Sequence, residues 1–404
     1  MVKSGSPWLR GLLRAGKKQQ RSAARVLTAL LTPASPKSKP RAAAKPVKPA
    51  SVSRTGPLPK PSAAAKPTVA AKPRVAAKPK AAAKARVPLR HGRESLPPPG
   101  PATGKWLACH YAAQADRHAM PARRMPYWIY LPHTPAPPAG RPLIVMLHGC
   151  DQSATAFAEG TRMNQMADKE GYALVYPQQS AQVHPHRCWK WYDRATQQGG
   201  GDVPLIAGVL GNVMDAYPID RSRVYICGIS AGAAMAHIVA LNHPELFAGL
   251  GMHSGPMFGA GHGAIGALGV MKHGNSARMD SAIAEVRARR PSFPPLPTML
   301  IGGAADEIVR PVNQAQLMRQ SMMLNELGDG VVKVTLKAGN KRSLPYRLHD
   351  VWRGRKLMLR VAQVEELKHA WSGGDERLAF NSGAGPDASK MLMDFFGRHR
   401  RVIR

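Results

Sequence analysis

No stretch of this 404-residue chain approaches the run of apolar residues that a membrane-spanning helix needs, which is about 20. No transmembrane segment is therefore expected. An export signal is poorly represented too: the apolar stretch Val26 to Leu31 is shorter than an h-region requires, and no clear small-residue cleavage site follows it. Metal-ligand spacings, a phosphate-cradling glycine loop and a nucleotide fingerprint are all missing, so neither a metal nor a cofactor is expected. The four cysteines (Cys109, Cys150, Cys188 and Cys227) do not settle the redox compartment, because they allow two disulfides, one or none. Acidic residues are scarce at one end. Residues 1–105 hold 24 Lys and Arg against one acid, Glu94, whereas the remaining 299 residues carry only +11 of the total net charge of +34.

What replaces the acids is a biased segment. Ala-Lys-Pro recurs at Ala44, Ala65, Ala71 and Ala77, and Lys66, Lys72, Lys78 and Lys84 fall at six-residue intervals. A proline after most of these lysines removes a backbone donor and forces the preceding residue extended, which defeats the helical preference of alanine. With little apolar surface to bury, residues 37–104 are expected to form a disordered basic tail. Repeated lysines on a flexible chain neutralise phosphates, so nonspecific binding to nucleic acid or another polyanion is one expectation, and a solubilising spacer is the other. Ahead of it, residues 1–36 interleave Trp8, Leu9, Leu12, Leu13, Val26, Leu27, Leu30 and Leu31 with Arg and Lys. That pattern suits a short basic amphipathic segment.

From Lys105 onward the composition is globular, and residues 105–404 are expected to form one catalytic domain. Strand-like runs at Pro126 to Pro132, Leu143 to Leu147, Tyr172 to Tyr176, Leu246 to Met252, Pro297 to Ile301, Val331 to Lys337 and Lys356 to Val364 alternate with helical patterns. The helices are expected at Ala154 to Glu170, after the cap Asp202, at Pro311 to Leu327 and at Ala388 to Phe396. Such alternation implies an α/β class fold: a doubly wound, mainly parallel sheet covered on both faces. The Gly-rich segment 255–295 interrupts the alternation and is expected to cap the site.

The chemistry concentrates at Val224 to Asn242 (VYICGISAGAAMAHIVALN). An apolar β-branched run ends at Gly228-Ile-Ser-Ala-Gly232 and a helical pattern follows, so Ser230 sits at the tip of a sharp strand-to-helix turn. There its hydroxyl leaves the sheet, and the Ala231 amide at the helix start faces a developing oxyanion. A serine needs an imidazole to take its proton and a carboxylate to hold that imidazole. In this kind of sheet the order is Ser, acid, His. Asp306 follows the strand Thr298 to Gly303, and His369 follows the strand ending at Val364. A helix cap is the plainer role for Asp306. Leu147-His-Gly-Cys150 supplies the second oxyanion amide, at Cys150, while His148 is expected to hold that loop. Cys150 and Cys188 could pair, stapling the oxyanion loop to Arg187-Cys-Trp-Lys-Trp191, or remain thiols in a reducing compartment. Trp189, Trp191 and Trp371 are candidates to line a substrate groove, with a place in the core as the alternative for each.

Taken together, HGCDQS (His148–Ser153), RCWKW (Arg187–Trp191), GISAG (Gly228–Gly232), DEIVRP (Asp306–Pro311) and HAWSGG (His369–Gly374) resemble the polyhydroxyalkanoate (polyhydroxybutyrate) depolymerase family of esterases, which also takes in feruloyl and acetylxylan esterases. The resemblance covers about Cys109 to Arg400 and implies an α/β-hydrolase fold. It also implies hydrolysis of short-chain esters through an acyl-enzyme, with the triad on Ser230, Asp306 and His369. One departure is Gly302-Gly303 where the family usually has His-Gly. The expected substrate is a polyhydroxybutyrate-type polyester or oligomer. The alternatives are feruloyl or acetyl groups on polysaccharide, or a nucleoid or granule tether with residual hydrolase activity. Family members are commonly extracellular, whereas the basic tail suits a cytoplasmic location, so localisation stays open.

Overall fold

A computed structural model describes residues 102–113, 123–328, 332–340 and 343–403. The amphipathic segment 1–36 lies outside them, as does the basic tail 37–104 except for its last three positions. Those three belong to the folded part: Ala102 is buried, the Thr103 amide donates to Asp168 and the Gly104 amide donates to the Tyr130 hydroxyl at 2.7 Å.

Ten strands form one sheet. They are β1 (Lys105–Ala112), β2 (Arg124–Leu131), β3 (Arg141–Leu147), β4 (Ala173–Pro177), β5 (Ile219–Ile229), β6 (Gly249–His253), β7 (Thr298–Gly303), β8 (Val332–Lys337), β9 (Tyr346–Arg353) and β10 (Lys356–Val364), in the order β1-β2-β4-β3-β5-β6-β7-β10-β9-β8. The run β4-β3-β5-β6-β7-β10 is parallel, and an antiparallel pair closes each edge. A two-stranded ribbon, β11 (Trp371–Ser372) with β12 (Asn381–Ser382), stands apart.

The helices are α1 (Ala154–Thr161), α2 (Met163–Glu170), α3 (Arg194–Gln197), α4 (Val203–Ala216), α5 (Ala231–Asn242), α6 (Gly263–His273), α7 (Ser276–Arg289), α8 (Val312–Leu324) and α9 (Ala388–Phe396). Alternation along β3 explains the two layers. Leu143, Val145 and Leu147 point into a core shared with α4, α5, α6, α7 and α8, while Ile144 and Met146 point into one shared with α1, α2 and α9. Central strands buried on both faces read as continuous apolar runs, which is why β3 was visible in sequence. The fold is a doubly wound α/β-hydrolase sheet.

Four expectations are corrected. The single helix Ala154 to Glu170 is two helices, broken at Arg162 in left-handed backbone. The carbonyls of Gly160 and Thr161, which a continuous helix would bond internally, instead accept from the Asp375 amide and the Ser389 hydroxyl of the C-terminal region. Asp202 does not cap α4 with its side chain; its carboxylate accepts from Arg123 (2.6 Å) and Gln179 (2.5 Å). The stretch Leu246 to Met252 begins as a 3₁₀ turn, Pro244–Leu246, and becomes strand only at Gly249. Strands β1 and β9 were not anticipated, because Lys, His, Asp and Arg interrupt their apolar pattern.

Candidate active site

The parallel strands carry the three expected residues to one end of the sheet. Ser230 follows β5 and holds φ 56° and ψ −124°, a sparsely populated region for a residue with a side chain. Such a conformation costs on the order of 1–3 kcal/mol and persists only where its surroundings hold it. Here the Ser230 amide donates to the His253 carbonyl at 2.9 Å, and its carbonyl accepts from Ala234 at 3.1 Å as α5 begins. Gly232 makes the turn possible, since a Cβ there would land on the carbonyl oxygens of Leu147 and His148.

Asp306 lies in the turn after β7 and is 3 % exposed. One carboxylate oxygen, Oδ1, accepts from the amides of Ile308 (2.9 Å) and Val309 (2.8 Å). The other, Oδ2, accepts from His369 Nδ1 at 2.8 Å. The carboxylate thus stabilises its own turn and still orients an imidazole; it does not cap α8, which starts at Val312. Close packing of β7 against the base loop allows this meeting, because the Ala305 amide donates to the Leu367 carbonyl at 3.2 Å. Beside Gly302, Gln314 fills the space and donates to the Ala362 carbonyl at 2.9 Å. With Nδ1 donating to Asp306, the neutral tautomer leaves Nε2 of His369 bare.

Ser230 and His369 line one cavity of about 110 Å³, together with Gly149, Cys150 and Ala231. Ala231 is the first residue of α5, so its amide has no acceptor inside the helix and is available to an oxyanion. The Cys150 loop is held from several sides. The neutral ring of His148 can donate from Nδ1 to the Gly149 carbonyl (2.7 Å) while Nε2 accepts from the Gln179 amide and the Gln178 side chain, both at 3.1 Å. Burial pushes its pKa down to about 4, which suits that tautomer. The Gly149 amide donates to Gln152 at 2.8 Å, and a disulfide joins Cys150 to Cys188.

Only one of the three tryptophans lines the cavity. Trp191 does so. Trp189 and Trp371 are 0 % and 1 % exposed, which corrects the expectation that they face a groove. Trp189 donates to the His148 carbonyl at 2.9 Å and so supports the Cys150 loop from behind. Trp371 packs edge-on against Phe157, stacks on His253 at 5.1 Å and donates to the Ser389 hydroxyl. Each indole N–H finds its partner inside the protein, which is what lets a tryptophan be wholly buried.

For the remaining wall the sequence indicates a capping segment, 255–295, without naming its residues. Ala264, Ala267, Leu268 and Met271 of α6 line the cavity, so the segment 255–295 contributes to it, joined by Ile308, Tyr192 and Phe380. His253 precedes Asp306 in the chain, which is not the place of the base in the order Ser, acid, His. It closes β6 beside Ile229 of β5, fully buried, with its pKa pushed down to about 3 by burial and, secondarily, by His369, against Asp306. The signal was its place one residue past the expected strand, level with the serine turn.

This combination of sheet, turn and Asp–His pair defines an α/β-hydrolase-fold protein. Residues 125–343 match the family described as "Esterase PHB depolymerase", and the chain belongs to that family. Among its relatives is the poly(3-hydroxyalkanoate) depolymerase C of Paucimonas lemoignei, 36 % identical over 28 % of this chain and 27 % of that one. Feruloyl esterase B of Thermothelomyces thermophilus is 30 % identical over 44 % of this chain and 64 % of its own. The chain thus spans about a quarter of the first relative's length and less than two thirds of the second's. A solved acetyl xylan esterase from Aspergillus awamori shares the fold, with a TM-score of 0.52 and 17 % identity over 68 % of this chain and 94 % of that one. Among the described residues no helix is long and apolar enough to cross a membrane.

Proposed function

We propose that this protein is a serine esterase that hydrolyses short-chain ester bonds of the polyhydroxybutyrate type. The observation that carries the reading is the 2.8 Å contact between Asp306 and His369, made at the wall of the cavity that Ser230 shares. In this reading Nε2 of His369 takes the Ser230 proton as Oγ attacks the ester carbonyl carbon. The oxyanion of the tetrahedral intermediate accepts from the Cys150 and Ala231 amides. Collapse breaks the ester C–O bond and the departing alcohol takes the proton from His369. Water then repeats the sequence on the acyl-enzyme and frees the acid. Apolar walls from α6, Trp191 and Ile308 suit an alkyl-bearing acyl group.

Hydrolysis of short p-nitrophenyl esters by wild type and Ser230→Ala tests the assignment. A fall in kcat of roughly 10⁴-fold or more supports it; equal rates reject it. Release of 3-hydroxybutyrate oligomers compared with release of ferulate or acetate from polysaccharide then separates polyester from carbohydrate-ester substrates.

For the basic segment we propose an independent role, salt-sensitive binding of nucleic acid or another polyanion, on the strength of 24 cations and one acid in residues 1–105. Removing residues 1–101 spares the packed Ala102 and Gly104. It is expected to abolish DNA retention at low salt and leave ester hydrolysis intact; retention by the shortened chain rejects the role.

A further inference from the structure

One edge of the cavity is polar, and neither the triad nor the oxyanion amides account for it. Asp151 and His184, beside the two disulfide-joined loops, line the same cavity as Ser230. Asp151 holds left-handed backbone (φ 59°), its amide donates to the His186 carbonyl at 2.6 Å, and its Oδ1 accepts from His186 Nδ1 at 2.8 Å. The side chain stays 33 % exposed, and its second oxygen has no hydrogen-bond partner among the described residues. His184 is a half-buried imidazole whose Nδ1 is shut from solvent with no hydrogen-bond partner among the described residues. Keeping the bare nitrogen at Nδ1 and the proton at Nε2 avoids burying an unpaired N–H. Burial first, then the neighbouring His186 and Lys190, hold its pKa below the ordinary histidine value, while Asp151 acts the other way. The ring is therefore a neutral donor at pH 7.

We propose that Asp151 and His184 form a hydroxyl-recognition subsite, so that the enzyme favours esters bearing a free hydroxyl near the bond it cuts. This rests on the esterase reading above. An alcohol hydroxyl needs one acceptor for its proton and one donor for its lone pair; the free carboxylate oxygen supplies the first and the imidazole N–H the second. A plain alkyl chain would shield both from water without pairing either, which costs binding. A substrate carboxylate would be repelled by Asp151. The hydroxyl could sit on the acyl side, as in a 3-hydroxyacyl ester, or on the alcohol side, as in a glycol or sugar ester.

The test measures acid release by the full chain from methyl butyrate, methyl 3-hydroxybutyrate and 2-hydroxyethyl butyrate. Wild type is expected to favour one hydroxylated ester over methyl butyrate by about tenfold or more in kcat/KM, and the ester that wins shows which side carries the hydroxyl. His184→Phe keeps a ring, and Asp151→Gly keeps the left-handed backbone without strain; each is expected to bring the ratio close to one. Thermal melts show that each variant is folded, and either variant alone suffices to read the ratio. No preference in wild type, or a preference intact in the folded variants, overturns the subsite. Failure of wild type to cleave any of the three esters overturns the esterase reading itself.

Discussion

The Ser230 amide donates to the carbonyl of His253 at 2.9 Å. The same histidine accepts from the Ser372 amide at Nε2 (3.2 Å) and stacks on Trp371, two residues past His369, the proposed base. One residue therefore ties the serine turn to the loop of the imidazole. Its depressed pKa keeps it uncharged, so in the proposed mechanism no second cation faces the imidazolium of His369. His253→Phe retains the stacking and loses the acceptor for Ser372. The expected outcome is a fall in kcat of about tenfold, worth roughly 1.4 kcal/mol, with KM little changed. His253→Gln, which restores an acceptor, is expected to recover part of it. Steady-state kinetics check this; a KM effect without a kcat effect would place His253 in substrate binding instead.

Asp306→Asn tests the orientation of the base. The amide oxygen can still accept from Ile308 and Val309, which leaves the NH₂ facing His369 and forces the wrong tautomer. A loss of about 10³–10⁴-fold in kcat is expected, as for the corresponding change in a serine protease triad. The melting temperature should barely move, because the turn keeps both amide bonds. A large drop in stability with little loss of kcat would mean that Asp306 serves the turn alone.

The parts of the site that were legible in the sequence are those where covalent neighbours set the geometry. Gly228-Ile-Ser-Ala-Gly232 between an apolar strand and a helix dictates its own turn, and Asp306 and His369 each follow a strand of the parallel sheet. The tryptophans show the limit. Trp189 and Trp191 are two residues apart in one loop, yet the first is locked behind His148 and the second faces the cavity. Nothing local distinguishes them; the partner that decides, the His148 carbonyl, is 41 positions away. The break between α1 and α2 has the same cause, since its acceptor carbonyls are claimed by Asp375 and Ser389 from the far end of the chain. Strand β1, at one edge of the sheet, and β9, one place in from the other edge, are hard to read in the sequence because polar and charged residues interrupt their apolar pattern.

The disulfide links stability to the loop whose Cys150 amide is the proposed oxyanion donor. Cys150 and Cys188 are 38 positions apart, and closing a loop of that size restricts the unfolded chain by about 4 kcal/mol on the chain-entropy estimate. Mild reduction is expected to lower the melting temperature and kcat together, because the amide of Cys150 lies in the stapled loop. Cys227 is fully buried, and that burial raises its thiol pKa well above the usual value, so it should resist alkylation in the folded protein. Thiol titration in denaturant is expected to find two thiols before reduction and four after. Four without reductant would mean the bridge does not form in the preparation used.

Acid should destabilise the fold through histidines as well as carboxylates. Burial lowers the pKa of His148 and His237 to about 4 and is the main cause lowering that of His253 to about 3, against an ordinary value of 6.5. Below 6.5 the unfolded chain binds these protons while the folded chain does not, so stability is complete above that pH and declines as pH falls toward the folded values. Each such histidine contributes a slope of about 1.4 kcal/mol per pH unit in that window. His237 isolates the effect: it lies on α5 and packs against Phe258, and among the described residues its Nδ1 has no hydrogen-bond partner. His237→Leu removes one titrating group and one unpaired buried nitrogen. Urea unfolding at pH 7, 6 and 5 is expected to show equal or greater stability for the variant at pH 7 and a shallower decline below it, by about 1.4 kcal/mol per unit. Parallel declines in variant and wild type would mean that His237 is protonated in the folded state, and that its burial does not hold it neutral.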